Sequence, residues 1–250
     1  MKPHLSRYWL NTKRHEDPEQ FDQQVKEVCE VYEQAPMLHE QGVHVYSCDE
    51  KTGIQALERK YPDKPMQPGQ VRLLEHEYIR HGTQALIANL EVATGQCRAP
   101  SIGPTRTETD FVAHIEQTVA QDPEGTWIFI VDQLNTHRSE SLVCFVAQAC
   151  GIEADLGVKG KEGILHSMAT RSAFLQDKSH RIRFVYTPKH TSWLNQIEIW
   201  FSILVRRLLK RGTFSSVNEL RERILSFIEY FNKTMAKPFK WTYAGRPLQA

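Results

Sequence analysis

Apolar residues recur along the chain with two periods, and the changes between them divide it into elements. Over residues 17–34, Phe21, Val25, Val28 and Tyr32 share one face of a 3.6-residue repeat, with Asp17 at the N-cap and Pro18 at the first helical position. That pattern predicts a helix. Val43, Val45 and Ser47 then alternate toward Asp49, and a turn at Thr52-Gly53 into residues 54–57 is expected, which reads as a hairpin. After a proline-bearing loop, "HGTQALIANLEVATGQC" supplies a third strand that turns at Thr94-Gly95. Phe111, Ile115 and Val119 place a helix over 108–119.

The bulky run 127–131 is a fourth strand, and a helix is expected over about 139–149. "KGKEGILHSMATRSAFLQDKSH" reads as a loop carrying a short helix, and "RIRFVYTP" as a fifth strand stopped by Pro188. "TSWLNQIEIWFSILVRRLLKRG" is the clearest helix, with Thr191 or Ser192 as its N-cap and Gly212 just past its end. A last helix, "SSVNELRERILSFIEYFNKT", turns Val217, Leu220, Ile224, Phe227 or Ile228, and Phe231 toward the core. Strands in succession, followed by strands alternating with helices, predict an α/β domain with a mixed five-stranded sheet flanked by helices.

Composition narrows the function classes. The apolar fraction of 40% suits a globular fold, and no apolar run approaches the length of a membrane span. A cytoplasmic protein without a membrane is expected. The five cysteines form no Cys-x-x-Cys pair and are read as reduced and mostly packed. A formal net charge of +1 excludes a uniformly basic surface, so nucleic-acid binding would have to use local patches.

Three carboxylates stand where burial alone would not put them. Asp49 closes the first strand, Asp132 closes the fourth, and Glu198 lies between Ile197 and Ile199 in the second turn of an apolar helix. With the first and fourth strands as neighbours, the two aspartates would share one end of the sheet, and the helix after the fifth strand would bring Glu198 over the same edge. Three carboxylates together repel, and a divalent cation with oxygen ligands relieves that repulsion. Two such ions about 4 Å apart serve in-line displacement at phosphorus. Taken singly, each acid also reads as a solvated loop residue, a helix cap or a surface glutamate.

The words "VYSCDEKTGIQALERK", "EYIRHGTQALIANL", "FIVDQLNTH", "YTPKHTSWLNQIEIWFSILVRRLLKRGTF" and "AKPFKWTY", in this order, resemble the catalytic part of bacterial insertion-sequence transposases of the IS630 group, relatives of the Tc1/mariner elements. The resemblance covers about residues 2–243. It implies an RNase H-like fold with a DDE triad on Asp49, Asp132 and Glu198, binding two magnesium or manganese ions. It further implies hydrolysis of a phosphodiester at each transposon end, followed by attack of the freed 3′-hydroxyl on target DNA at a TA dinucleotide. The partners implied are the terminal inverted repeats and a second copy of the chain on DNA, at the bacterial nucleoid.

Supporting residues follow from position. Asn195, one turn before Glu198, is placed to hold a metal-bound water or a phosphate. His137 either contacts DNA phosphate or caps the next helix, and Trp193 either packs or touches DNA. Arg206, Arg207, Lys210 and Arg211 either favour the helix dipole or, with Arg181, Arg183 and Lys189, track a DNA backbone. Arg80 and His81 match a family word without a role that physics assigns.

The chain departs from the family in carrying Gln133 where Asn usually follows the second Asp, which puts the support of the ligand in question. The separation of Asp132 and Glu198, 198 minus 132 or 66 positions, is long, and the excess around 157–180 suggests an inserted loop near the site. "KPHLSRYWLN" resembles the tail of a helix-turn-helix region. The expected organisation is therefore a remnant or linker and helix over 1–38, then the catalytic domain over 39–250. A catalytically inactive, transposase-derived DNA-binding or regulatory protein is the competing reading. A phosphatase would need an Asp-x-Asp nucleophile, which neither Asp49-Glu50-Lys51 nor Asp132-Gln133-Leu134 supplies.

Overall fold

A computed structural model describes residues 18–243. The chain runs α1 (Pro18–Glu40), β1 (Val43–Arg59), β2 (Tyr78–Glu91), β3 (Cys97–Gly103), α2 (Glu108–Val119), β4 (Thr126–Val131), α3 (Glu140–Ala149), α4 (Met168–Leu175), β5 (Ile182–Tyr186), α5 (Ile197–Leu204) and α6 (Val217–Thr234). The five strands form one sheet of order β3-β2-β1-β4-β5. β1 to β3 are antiparallel neighbours, whereas β4 lies parallel to β1 and β5 parallel to β4. This is the expected mixed sheet flanked by helices.

Strand alternation sorts the core into two layers. Tyr46, Cys48, Trp127, Phe129, Val131, Phe184 and Tyr186 face α2 and α3. On the opposite face Val45, Ile128, Ile130 and Val185 meet Val28, Val31, Tyr32 and Ala35 of α1. Further along that face, Ile54, Leu86, Ala88 and Leu90 meet α5 and α6 through Trp200, Phe201, Leu220, Ile224, Ile228 and Phe231. β4 reads as a continuous apolar run because both of its faces are covered.

Three sequence expectations change. Thr52-Gly53 does not turn the chain: Lys51 pairs with Leu86 and Ile54 with Gln84, so the two residues oppose one residue of β2 as a bulge, with Gly53 at φ 67°. β2 is long enough to continue the ladder past the bulge, and keeping those hydrogen bonds is favoured over reversing there. The expected first and second strands are thus one strand, and the reversal falls within 60–77, where Lys64 pairs with Leu73 and Gln67 with Gln70. The fifth strand of the sheet is instead β3, whose Pro100 marks it as an edge strand pairing only with β2. The turn at Thr94-Gly95 leads into it, and Gly95 N–H donates to Glu91 C=O at 2.7 Å.

The third change concerns the clearest helix. Ser192–Leu194 is a 3-10 turn, Thr191 makes no capping bond, and Asn195 has extended backbone (φ −82°, ψ 108°) before α5 begins. Glu198 therefore sits in the first turn of α5, not the second. Val205–Leu209 widens into a π turn closed by Lys210 N–H on Val205 C=O at 2.8 Å. The expected N-cap Asp17 and the residues "KPHLSRYWLN" lie outside the described residues.

Among the described residues no helix is long and apolar enough to cross a membrane. Cys29, Cys48 and Cys97 are buried, and none of the five cysteines is disulfide-bonded.

Candidate active site

The parallel register of β1 and β4 runs to Ser47 opposite Ile130, and two residues further it sets Asp49 beside Asp132. The Asp49 side chain follows the pleat to the α1/α5 face, since Val45 and Ser47 alternate with Tyr46 and Cys48 in β1, and it meets Asn195 there. The carboxyl ends of parallel strands are where open α/β sheets place ligands.

Each aspartate has its own support. Asp49 is 9% exposed, and its carboxylate accepts from Glu50 N–H at 2.7 Å and from Asn195 Nδ2 at 3.2 Å. Asp132 is more open, its side chain 41% exposed, and it accepts from Leu134 N–H at 2.9 Å and from His137 Nδ1 at 2.8 Å. His137 is fully buried, and its Nε2 donates to Glu50 at 3.1 Å. Glu50 points to the face opposite Asp49, so one imidazole bridges two carboxylates beneath the strand ends.

The electrostatics separate the two acids. Burial, followed by repulsion from Asp132, lifts the Asp49 carboxyl to about 7, against the opposing pull of the Glu50 N–H and of His137. Burial pushes Asp132 up as well, but the His137 hydrogen bond and charge, the Leu134 N–H and Arg138 more than offset it and hold this carboxyl below its ordinary value. Burial works against the His137 cation, yet Asp132 and Glu50 raise its pKa to about 10. The Asp49–Asp132 pair thus carries a repulsion that His137 and the neighbouring N–H groups relieve at Asp132 but leave in place at Asp49. An all-oxygen donor set under such repulsion fits a hard divalent cation.

Glu198 reaches this end through Asn195. Its N–H donates to Asn195 C=O at 3.1 Å, while the Asn195 amide donates to Asp49 and to Cys48 C=O at 3.0 Å. Ser47 Oγ completes the joint by donating to Asn195 Oδ1 and accepting from Ile197 N–H at 2.9 Å. Among the described residues, however, no three His, Cys, Asp or Glu side chains stand together as a ready metal-holding group. The fold brings Asp49 and Asp132 together and starts the Glu198 helix beside them, without closing the triad.

The other sequence candidates separate clearly. His137 neither reaches DNA nor caps a helix, because it is sealed beneath the acids and Ser139 caps α3 instead. Arg181 is spent on Ala149 C=O (3.1 and 2.6 Å) and Gly125 C=O (3.2 Å), which corrects its reading as a backbone-tracking cation. Arg183 is partly buried, whereas Lys189, Arg206, Arg207, Lys210 and Arg211 are exposed. Trp193 is 53% exposed and meets Tyr243 edge-on at 5.0 Å. Arg80 stacks on Tyr78, and His81 pairs with Glu58 at 2.6 Å. Gln133 spans the ends of β4 and β5 by donating to Thr187 C=O at 3.1 Å.

Segment 157–180 contributes α4, which walls a cavity of about 590 Å³ together with Gln24, Gln133, Arg138, Tyr186 and Lys189. None of the three acids lines that cavity. The supporting roles of Glu50, Ser47 and Tyr32 escaped the sequence reading. Glu50 carried the one available signal, a second acid directly after Asp49 in a strand.

Asp49, expected to close the first strand, instead lies inside the long β1, beside Asp132 just past the end of β4, and a mixed sheet of order β3-β2-β1-β4-β5 carrying this acid pair has the RNase H-like arrangement. The sequence model of DDE superfamily endonucleases matches residues 44–221, and the chain belongs to that family. Among solved structures, the Mos1 mariner paired end complex with Mn is similar at a TM-score of 0.50 and 12% identity, over 90% of this chain and 60% of that one. The Mos1 transposase paired-end complex with left transposon end gives the same figures. At that identity the likeness is one of fold, and this chain spans about 60% of the length of those transposases. No curated protein sequence matches it.

Proposed function

We propose that the chain is the catalytic domain of a DDE transposase, cleaving DNA at transposon ends and joining the freed ends to target DNA. The observation that carries this reading is the Asp49–Asp132 pair across β1 and β4, with the Asp49 carboxyl lifted to about 7 by burial and by its neighbour. Membership of the DDE endonuclease family supports it, as does a fold shared with a transposase solved with manganese and with transposon-end DNA.

In this reading Asp49, Asp132 and Glu198 would hold divalent magnesium or manganese, two ions in all. Ions held there would supply activation of an attacking oxygen and stabilisation of the leaving one in displacement at phosphorus. The chain's own groups do the rest. His137, clamped by Glu50, fixes the rotamer of Asp132, and Asn195 fixes that of Asp49, so the oxygen donors stand oriented before DNA arrives. Lys189, exposed next to the β5 end, meets a phosphate of the bound strand, and Arg206, Arg207 and Lys210 extend the backbone contact. Terminal inverted repeats, a TA target, a homodimer on DNA and a place at the nucleoid belong to the same proposal, with residues 1–38 linking to a recognition region and 39–250 forming the catalytic domain.

The test is metal-dependent nicking of transposon-end DNA by the chain fused to a recognition domain. Nicking with magnesium or manganese that disappears in Asp132→Ala is the expected outcome. Absence of nicking by the wild-type fusion with either ion would sink the enzymatic reading and favour a regulatory descendant.

A further inference from the structure

The turn that launches Glu198 is held from outside the region that matches the DDE family. Leu194, Asn195 and Gln196 join the 3-10 turn to α5, and Gln196 makes no side-chain capping bond there. A helix entered through an extended, uncapped residue takes its direction from whatever fixes that residue. Ser47 and the Cys48 carbonyl do so from within the matched region.

Tyr32 of α1 does so from outside it. Its hydroxyl donates to Leu194 C=O at 2.8 Å and accepts from Gln196 N–H at 3.2 Å, so one oxygen bridges the residues on either side of Asn195. Tyr32 is 3% exposed, and Trp241 packs against its ring with centroids 4.7 Å apart. Leu194 is buried with Val25 and Cys29 of α1, and Trp241 and Tyr243 pack onto the same cluster. Residues 18–40 and 235–243 both fall outside the matched 44–221, yet both converge on this one turn. The Gln196 side chain, 1% exposed, has no partner at either amide atom. That amide therefore adds no bond that holds the turn, and its burial costs stability.

We infer that Tyr32, braced by Trp241, is a positioning residue that sets where Glu198 stands relative to Asp49 and Asp132. The flanks of the chain thereby tune the third acid, an inference that rests on reading the three acids as metal ligands. Movement of α1 reaches the start of α5 through this hydroxyl and through the packing of Leu194 on Val25 and Cys29. The segment preceding the DDE region is then part of the catalytic apparatus.

The experiment uses the full chain as wild type, Tyr32→Phe, Glu198→Gln and the double variant. Amide hydrogen exchange is read at residues 195–199 and in β4, and Mn²⁺ is titrated by calorimetry. In Tyr32→Phe, exchange at 195–199 and the half-saturating Mn²⁺ concentration each rise about fivefold, the worth of roughly one hydrogen bond, while β4 is unchanged. In the Glu198→Gln background, adding Tyr32→Phe changes Mn²⁺ binding no further, because the two act through one carboxylate. Trp241→Leu gives a smaller change in the same direction.

Unchanged exchange at 195–199 in Tyr32→Phe overturns the inference. So does faster exchange with unaltered Mn²⁺ binding, provided Glu198→Gln weakens that binding, since the clamp is then structural only. If Glu198→Gln itself leaves Mn²⁺ binding intact, the ligand reading of Glu198 fails and the positioning role falls with it, a result told apart by that single variant.

Discussion

Replacing Asp49 by asparagine tests the electrostatics of the site without any DNA. Burial, and then repulsion from Asp132, raises this carboxyl from 3.8 to about 7. A group with a raised folded pKa keeps its proton more tightly when folded than when unfolded. Its contribution to stability is therefore fully present below 3.8, is lost as pH rises to about 7, and is absent above that. The gap between 3.8 and about 7, at roughly 1.36 kcal/mol per pH unit, amounts to a penalty of about 4 kcal/mol on the metal-free protein at alkaline pH.

Asparagine carries no such penalty, but its NH2 would oppose the Asn195 NH2 that now donates to Asp49, which returns about 1 kcal/mol. The expected net gain for Asp49→Asn is thus about 3 kcal/mol at about pH 8, and roughly half the penalty is already gone at about pH 5.5. In thermal unfolding with EDTA, the variant melts about 6–12 °C above wild type at the higher pH, on the scale of about 2–4 °C per kcal/mol for a domain of this size. Adding Mn²⁺ reverses the order, because only the wild type binds the ion well. A variant no more stable than wild type at pH 8, or an advantage that does not shrink toward pH 5.5, refutes the account of the acid pair.

Other perturbations probe other joints. His137→Leu leaves Glu50 buried without its partner and should lower stability by about 3 kcal/mol or more in urea titration. Because the His137 pKa rises from 6.5 to about 10, its contribution is complete below 6.5 and fades as pH climbs through 10, so the difference between wild type and His137→Leu should narrow on that climb; a gap that stays constant contradicts the bridge. Gly95→Ala drives a Cβ into the Lys237 carbonyl oxygen at φ 71°, and the urea midpoint should fall by the equivalent of about 2 kcal/mol; an unshifted midpoint argues that 237 does not pack there. Lys189→Ala should reduce the salt dependence of DNA binding by about one phosphate contact, and an identical slope removes Lys189 from the interface.

Much of the molecule is written locally. The 3.6-residue spacing of Phe111, Ile115 and Val119 and of Leu220, Ile224 and Ile228 places α2 and α6, because a single buried stripe admits no other conformation. The abrupt end of the 127–131 run on Asp132 marks a buried strand meeting a polar edge, whereas Asp49 stands inside a strand that runs on to Arg59, so the strand-end pattern identifies only Asp132. The ends of elements were less legible. Thr52-Gly53 has the composition of a turn, yet the length of β2 made it a bulge, and β3 hid behind Pro100 because only its pairing with β2 makes it a strand.

The support of the site lay wholly beyond local pattern. Nothing near His137 in the chain announces that it is sealed between Asp132 and Glu50, since Glu50 lies 87 residues away. Nothing near Glu198 announces that α5 starts late because Asn195 is drawn to Asp49, 146 residues earlier. Periodicity records which face of an element is buried, because burial repeats along it. Hydrogen bonds between side chains distant in sequence leave no period, so only the packed sheet decides which acid is buried, which is charged and which residue holds each in place.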